Sequence, residues 1–327
     1  FERLIVDTTV QEKAIAHPVD SRLLEIARHQ VVAAAKRAGI ALKQTFVKEG
    51  KTLRRKAGGY AHAKQFKRLR KALKRQRTIL GIVLREVRRK IGQASGATAL
   101  TLTNLQTLIE RAERIRSQRP KDKNKLYALH APEVECIGKG KARKPYEFGV
   151  KVSVAVTHKR GLMVGARSFA GNPYDGHTLA EQLEQVTILT EDTGARPRQV
   201  TVDLGFRGVD ADNPGVEIIH RGKLKSLTDQ QRKWLERRQA VEPAIGHLKQ
   251  DNGMDRCWLK GATGDAIHAV LCAAGYNIRW LLRAIVRLGL KGLVVPVFAL
   301  LLTLASALAA ALGASKAGVD RSNWVVA

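Results

Sequence analysis

The spacing of apolar residues changes its period along this chain, and the changes limit the folds open to it. Residues 3–10, RLIVDTTV, form a short β-rich run that contains Asp7. From about His17 the spacing becomes helical, with Leu23, Leu24, Ala27, Val31 and Ala34 at three- and four-residue steps. An N-cap is expected at Asp20 or Ser21, and Gly39 ends the helix. A second helix is expected over about 60–91, its apolar face made by Phe66, Leu69, Leu73, Leu80, Val83, Val87 and Ile91. A third runs through Leu102, Leu105, Leu108, Ile109, Ala112 and Ile115 and closes before Pro120.

After Pro120 the period drops to two. Val150, Val152, Val154 and Val156 alternate with Lys151, Ser153 and Ala155, and a turn at 158–161 leads into a strand through Leu162 and Val164. A helix at 177–190, a strand at 198–204, a short strand at 215–220 and a long helix at about 227–250 follow. This order predicts an α/β chain: a mixed sheet with a large helical insertion after its first strand.

Charge narrows the partners. Lys+Arg number 58 against 29 Asp+Glu, a formal net charge of +29. Such an excess attracts a polyanion at long range. Only 5% of residues are aromatic, which disfavours stacking on single strands and favours phosphate contact on a duplex. Between Lys48 and Lys90, 17 Lys/Arg face two acids, Glu49 and Glu86, a local charge of +15. Arg68, Lys71, Lys74 and Arg75 lie opposite the apolar stripe there, as a DNA-binding face or as a solvated spacer. Lys139 and Lys141, in GKGKARK (138–144), make a phosphate-contacting loop or a solvated charge run. That segment lacks the frame of a P-loop, so no nucleotide cofactor is expected.

Three cysteines, Cys136, Cys257 and Cys272, have no paired spacing, which argues against a zinc site or a disulfide framework. The histidines have no metal-ligand spacing either and are expected as surface or core residues, with a place near the site as the alternative for His177 in DGHTL. The uncharged stretch 293–312, LVVPVFALLLTLASALAAAL, is long enough to span a membrane, but Pro296 and the many alanines favour a packed or peripheral helix.

Three acids occupy chemically useful places. Asp203, in VTVDLGFRGV (200–209), ends a β-branched run, either as a turn residue or as a rigidly held site carboxylate. Glu242 lies in LERRQAVEPAIGHLK (235–249), spaced Arg-x3-Glu-x6-Lys with Arg238 and Lys249. On one helix these three would share a side, as a surface ion-pair ladder or as a site for metal and phosphate. With Asp7, they make a set of hard oxygen donors suited to Mg²⁺ or Mn²⁺, and two such ions can clamp the oxygens of a phosphoryl displacement.

LIVDTTV, DLGFRG and the Arg-x3-Glu-x6-Lys spacing together resemble bacterial DDE-type insertion-sequence transposases, in the broad insertion-sequence-four and -five group. Residues 129–155 and YDGHTLAEQLEQ (174–185) are similar to that group as well, so the resemblance spans roughly residues 3–285. It departs at Leu235, where the group commonly has Tyr, and at Gly205 and Gly208, which are displaced from the usual place. The resemblance implies a ribonuclease-H-like core with Asp7, Asp203 and Glu242 as catalytic ligands of two Mg²⁺ or Mn²⁺ ions. Arg238, Lys249, Lys139, Lys141, Arg68, Lys71, Lys74 and Arg75 would contact DNA. It also implies cleavage at transposon ends and strand transfer by a homodimer on double-stranded DNA, in a bacterial cytoplasm at the nucleoid. A truncated remnant that only binds DNA is the alternative.

The expected divisions are 1–17 for the first core strand, 18–120 for the basic insertion, 121–287 for the rest of the core and 288–327 for an apolar tail. Because the chain begins at Phe1, almost on the first strand, an N-terminal helical region is expected upstream.

Overall fold

The computed structural model describes residues 1–94, 97–138, 140, 144–289 and, within 296–307, residues 296, 298–304, 306 and 307. Contacts divide the chain into two units, Phe1–Ala273 and Ala274–Ala327.

The first unit is built on a six-stranded mixed sheet. Its strands are β1 (Arg3–Glu12), β2 (Glu135–Gly138), β3 (Tyr146–Thr157), β4 (Met163–Phe169), β5 (Gln199–Thr201) and β6 (Glu217–Ile219). The order is β2-β3-β1-β5-β6, with β4 also paired to β3. β1, β2 and β4 pair antiparallel with β3, whereas β1–β5 and β5–β6 are parallel. β1 is central and covered on both faces, so the successive residues Leu4, Ile5 and Val6 are all buried, as are Thr9, Val10 and Gln11. β3 and β4 form the hairpin expected around residues 158–161, and Gly161 takes the left-handed φ of 67° that its turn needs. β5 is three residues long rather than the seven expected over 198–204, because the backbone turns into a 3-10 segment at Leu204–Phe206.

One face of the sheet packs Leu4, Val6, Ala155 and Val200 against Leu179, Leu183 and Val186 of α5 (Leu179–Leu189, the fifth helix of the chain).

Between β1 and β2 the chain forms four helices: α1 (Asp20–Arg37), α2 (Val47–His62), α3 (Phe66–Lys90) and α4 (Ala99–Ser117). They share a separate core that includes Leu24, Val31, Leu80, Val83, Leu84, Val87, Leu105 and Ile109. Gly39, at φ 73°, closes α1 as expected, while its N-cap is Val19 and Asp20 is already helical. Thr98 caps α4 by accepting from the Thr101 amide.

The single helix expected over about 60–91 is corrected in two ways. A left-handed Lys64 separates α2 from α3, so the basic region is a helical hairpin. Phe66, expected to pack inward, is 58% exposed, and Leu69 and Leu73 are only half-buried. The apolar stripe of α3 is buried from Ala72 onward, and Phe66 stands beyond it, at the turn of the hairpin.

The long helix expected at about 227–250 is also interrupted. α6 (Asp229–Arg237), opened by a Thr228–Gln231 capping box, and α7 (Val241–Gln250) are joined by a 3-10 turn at Arg238–Ala240. Pro243 explains the break: it has no N–H for the Gln239 carbonyl, and its ring crowds that carbonyl. Arg238 and Glu242 therefore lie on different elements.

α8 (Gly261–Arg287) begins in the first unit, where Asp265, Ala269 and Cys272 are buried. Asp265 accepts from Lys13 Nζ at 2.7 Å, and Lys13 also pairs with Glu133 at 2.8 Å. This buried ionic cluster fixes the end of β1. Among the described residues, α8 is the one helix long and apolar enough to cross a membrane, with a mean hydropathy of 1.3. In the second unit the described residues of 296–307 are helical. The uncharged stretch 293–312 lies partly outside the described residues.

Candidate active site

Parallel pairing places the first two acids. β1 pairs with β5 through Leu4–Val200 and Ile5–Thr201, so Asp7 lies two residues past the last paired position of β1 and Asp203 two residues past that of β5. Asp7 is still within β1, while Asp203 is the extended residue that caps the 3-10 turn after β5. In sheets of this kind, ligands meet the carboxyl ends of parallel strands. Asp203 Oδ1 accepts from the Gly205 amide at 2.8 Å, which fixes the carboxylate on its own turn.

Asp7 is held from two sides. The Thr8 amide donates to Oδ1 at 2.8 Å and Arg238 Nη1 donates to Oδ2 at 2.9 Å. Burial pushes the Asp7 carboxyl above its ordinary value, Arg238 pulls it back, and the negative charge of Asp203 adds to the rise. The two acids therefore feel each other electrostatically.

A further carboxylate, absent from the expected set, adjoins Asp203. Asp175 Oδ1 accepts from Thr8 Oγ1 at 3.0 Å and from Lys151 Nζ at 2.7 Å. A Cβ built on Gly205 would lie 2.9 Å from both Asp175 Oδ2 and Asp203 Oδ1. Glycine is required there because two acid side chains close over that backbone. The sequence signal for it is YDGHTL, in which Asp175 stands two residues before His177. His177 packs edge-on to Tyr174, with ring centroids 5.4 Å apart.

Glu242 is exposed on α7, whose inner face is Val241, Ala244 and Leu248. α7 packs on β1, the strand that carries Asp7. Lys249, two turns on, donates to Glu147 Oε2 of β3 at 3.2 Å. Arg238 and Lys249 are thus each engaged with a sheet carboxylate. Among the described residues, no group of three or more His, Cys, Asp or Glu side chains is gathered closely enough to hold a metal ion.

The basic face is exposed at Arg68, Lys71, Lys74 and Arg75. Arg75 Nε donates to Glu49 Oε1 at 2.6 Å across the hairpin, so it is the most engaged of the four. Lys139 and Lys141 lie outside the described residues.

Comparison with known proteins bears on the segment that holds the third acid. Residues 216–282, which include Arg238, Glu242 and Lys249, match the family described as Transposase DDE domain. This match supports a DDE-type transposase. The chain is also 52% identical over 66 residues to the uncharacterized protein ORF8 in the nfe locus of Rhizobium meliloti. That stretch is 20% of this chain and 32% of the relative, so the chain spans about a third of that relative's length. No solved structure matches the chain. The transposase match covers the segment with Glu242 and leaves Asp7 and Asp203 outside it.

Proposed function

We propose that this chain carries the catalytic part of a DNA transposase that cuts phosphodiester bonds at transposon ends and joins them to target DNA. The observation that carries the reading is the electrostatic closeness of Asp7, on β1, and Asp203, just past the neighbouring parallel strand β5, together with a transposase DDE match over the segment that contains Glu242. Three antiparallel strands followed by two parallel ones, β4-β3-β1-β5-β6, support a ribonuclease-H-like core. The four helices after β1 act as a basic insertion in it. The protein works as a homodimer on double-stranded DNA at the bacterial nucleoid.

The donor chemistry fits Mg²⁺ or Mn²⁺: Asp7, Asp203 and Glu242 offer hard carboxylate oxygens, and Asp7 and Asp203 already repel one another. When bound there, such ions supply Lewis-acid activation of the scissile phosphate and of attacking water. The chain's own groups keep two acids rigid: β1 and the Gly205 turn fix them, and Arg238 keeps the Asp7 carboxyl from rising further. Arg238 lies beside that carboxylate, where a phosphate oxygen of the cut strand can share its guanidinium.

The absence of a gathered three-acid group among the described residues favours a second reading, a remnant that binds DNA without cutting it. Nicking of supercoiled plasmid in Mg²⁺ or Mn²⁺ separates the two. The catalytic reading requires metal-dependent nicking that Asp203→Asn lowers at least a hundredfold with binding retained. Equal nicking by both proteins, or none by either, defeats it.

A further inference from the structure

We propose that Phe66, at the tip of the α2–α3 hairpin, is an aromatic wedge that inserts at a base step of duplex DNA while the cations around it hold the phosphates. The inference rests on the DNA-binding reading above and adds a residue and a mode of contact to it.

The observations are local. Phe66 is the first residue of α3, two positions after the left-handed Lys64, and it is 58% exposed. The helical core begins further along, at Ala72 and then Ile79, Leu80 and Val83, so the ring contributes little to folding. Lys64, Lys67, Arg68, Arg70 and Lys71 around it are all exposed. From Gly50 to Arg85 the sequence has no Asp or Glu at all. The acid just before this span, Glu49, is spent on Arg75 at the other end of the hairpin. An apolar ring thus projects from a surface of one sign of charge.

Charge selects the occupant. A second copy of the same tip would be repelled by the same cations. An anionic membrane would gain little from one ring, because interfacial helices bind through a broad apolar face. A duplex satisfies both features, since apolar side chains flanked by Arg or Lys enter between base pairs, unstack them partly and bend the helix.

The test uses the full chain and duplexes carrying 2-aminopurine at several steps, with donor and acceptor dyes at the two ends. Wild-type protein should brighten 2-aminopurine and shorten the end-to-end distance. Phe66→Ala should lose both signals and bind about tenfold more weakly, at an unchanged salt slope, while Phe66→Trp keeps both signals. Thermal melting should be the same for all three, because the ring is not in the core. The wedge is overturned if Phe66→Ala gives wild-type signals and affinity. It is also overturned if the substitution instead abolishes a dimer in sedimentation or binding to phosphatidylglycerol vesicles. Loss of all duplex binding in the wild type would reject the DNA-binding reading together with the wedge, whereas normal binding with a normal salt slope and no dependence on Phe66 rejects the wedge alone.

Discussion

Arg238 donates to Asp7 at 2.9 Å, so the cation of the Arg-x3-Glu-x6-Lys spacing caps the acid on the first strand instead of Glu242 four residues on. A contact 231 positions apart in sequence thus joins the segment that matches the transposase family to β1, which lies outside the match.

Removing that cation leaves burial and Asp203 to act on Asp7 unopposed, and both raise its carboxyl. Arg238→Gln should move the acid limb of the nicking pH profile to higher pH and lower the rate at neutral pH about tenfold. An acid limb that stays in place contradicts the role given to Arg238.

Gly205→Ala places a methyl group 2.9 Å from carboxylate oxygens of Asp175 and Asp203. Overpacking of this sort costs about 1 kcal/mol or more, and here it also displaces the Asp203 carboxylate. Nicking should fall more than tenfold, with only a small loss in urea stability. Activity at the wild-type level would show that the position of Asp203 is unimportant.

The basic face should reveal itself in salt dependence. Changing Arg68, Lys71, Lys74 and Arg75 together to Gln removes three open cations and one already paired with Glu49. Each phosphate contact contributes a slope of about −0.9 in log affinity against log salt, so the slope should become shallower by about three. If it is unaltered at unchanged helicity, the hairpin is a spacer.

Stability should depend on the buried Lys13 cluster. Asp265→Asn leaves the Lys13 charge poorly matched and should cost about 3 kcal/mol in urea unfolding, whereas Lys13→Met with Asp265→Leu should cost less. Burial pushes the Glu133 carboxyl up, but the hydrogen bond and charge of Lys13 and the backbone N–H donors of Glu133 and Gly261 together outweigh it and leave it lowered. Its contribution is therefore present above the ordinary value of 4.5 and lost as pH falls through the lower folded value. Burial pulls the Lys13 ammonium down, yet Asp265 and Glu133 leave it raised, so its contribution holds below 10.5 and fades as pH rises past the folded value. Acid unfolding of wild type and Lys13→Met should differ in this sense, and identical acid limbs would refute the assignment.

Periodicity alone determined the alternation of β1, helical region, hairpin and later strands, because spacing of apolar residues is a local property that each element carries in its own sequence; it gave three helices where the structure has four. It also marked Asp7, Asp203 and Glu242 as acids at a strand, a strand end and a helix. Tertiary structure decided the rest. The approach of Asp7 and Asp203 depends on the pairing of β1 with β5, nearly two hundred residues apart, and no local pattern encodes which strands pair. Asp175 entered the site because the α5 end of the chain folds back over Gly205, an approach visible only as a missing Cβ. Phe66 shows the opposite effect. Its spacing fits the apolar stripe of α3, yet the neighbours that would cover it end one turn and a half before the hairpin does, and what looked like core became surface.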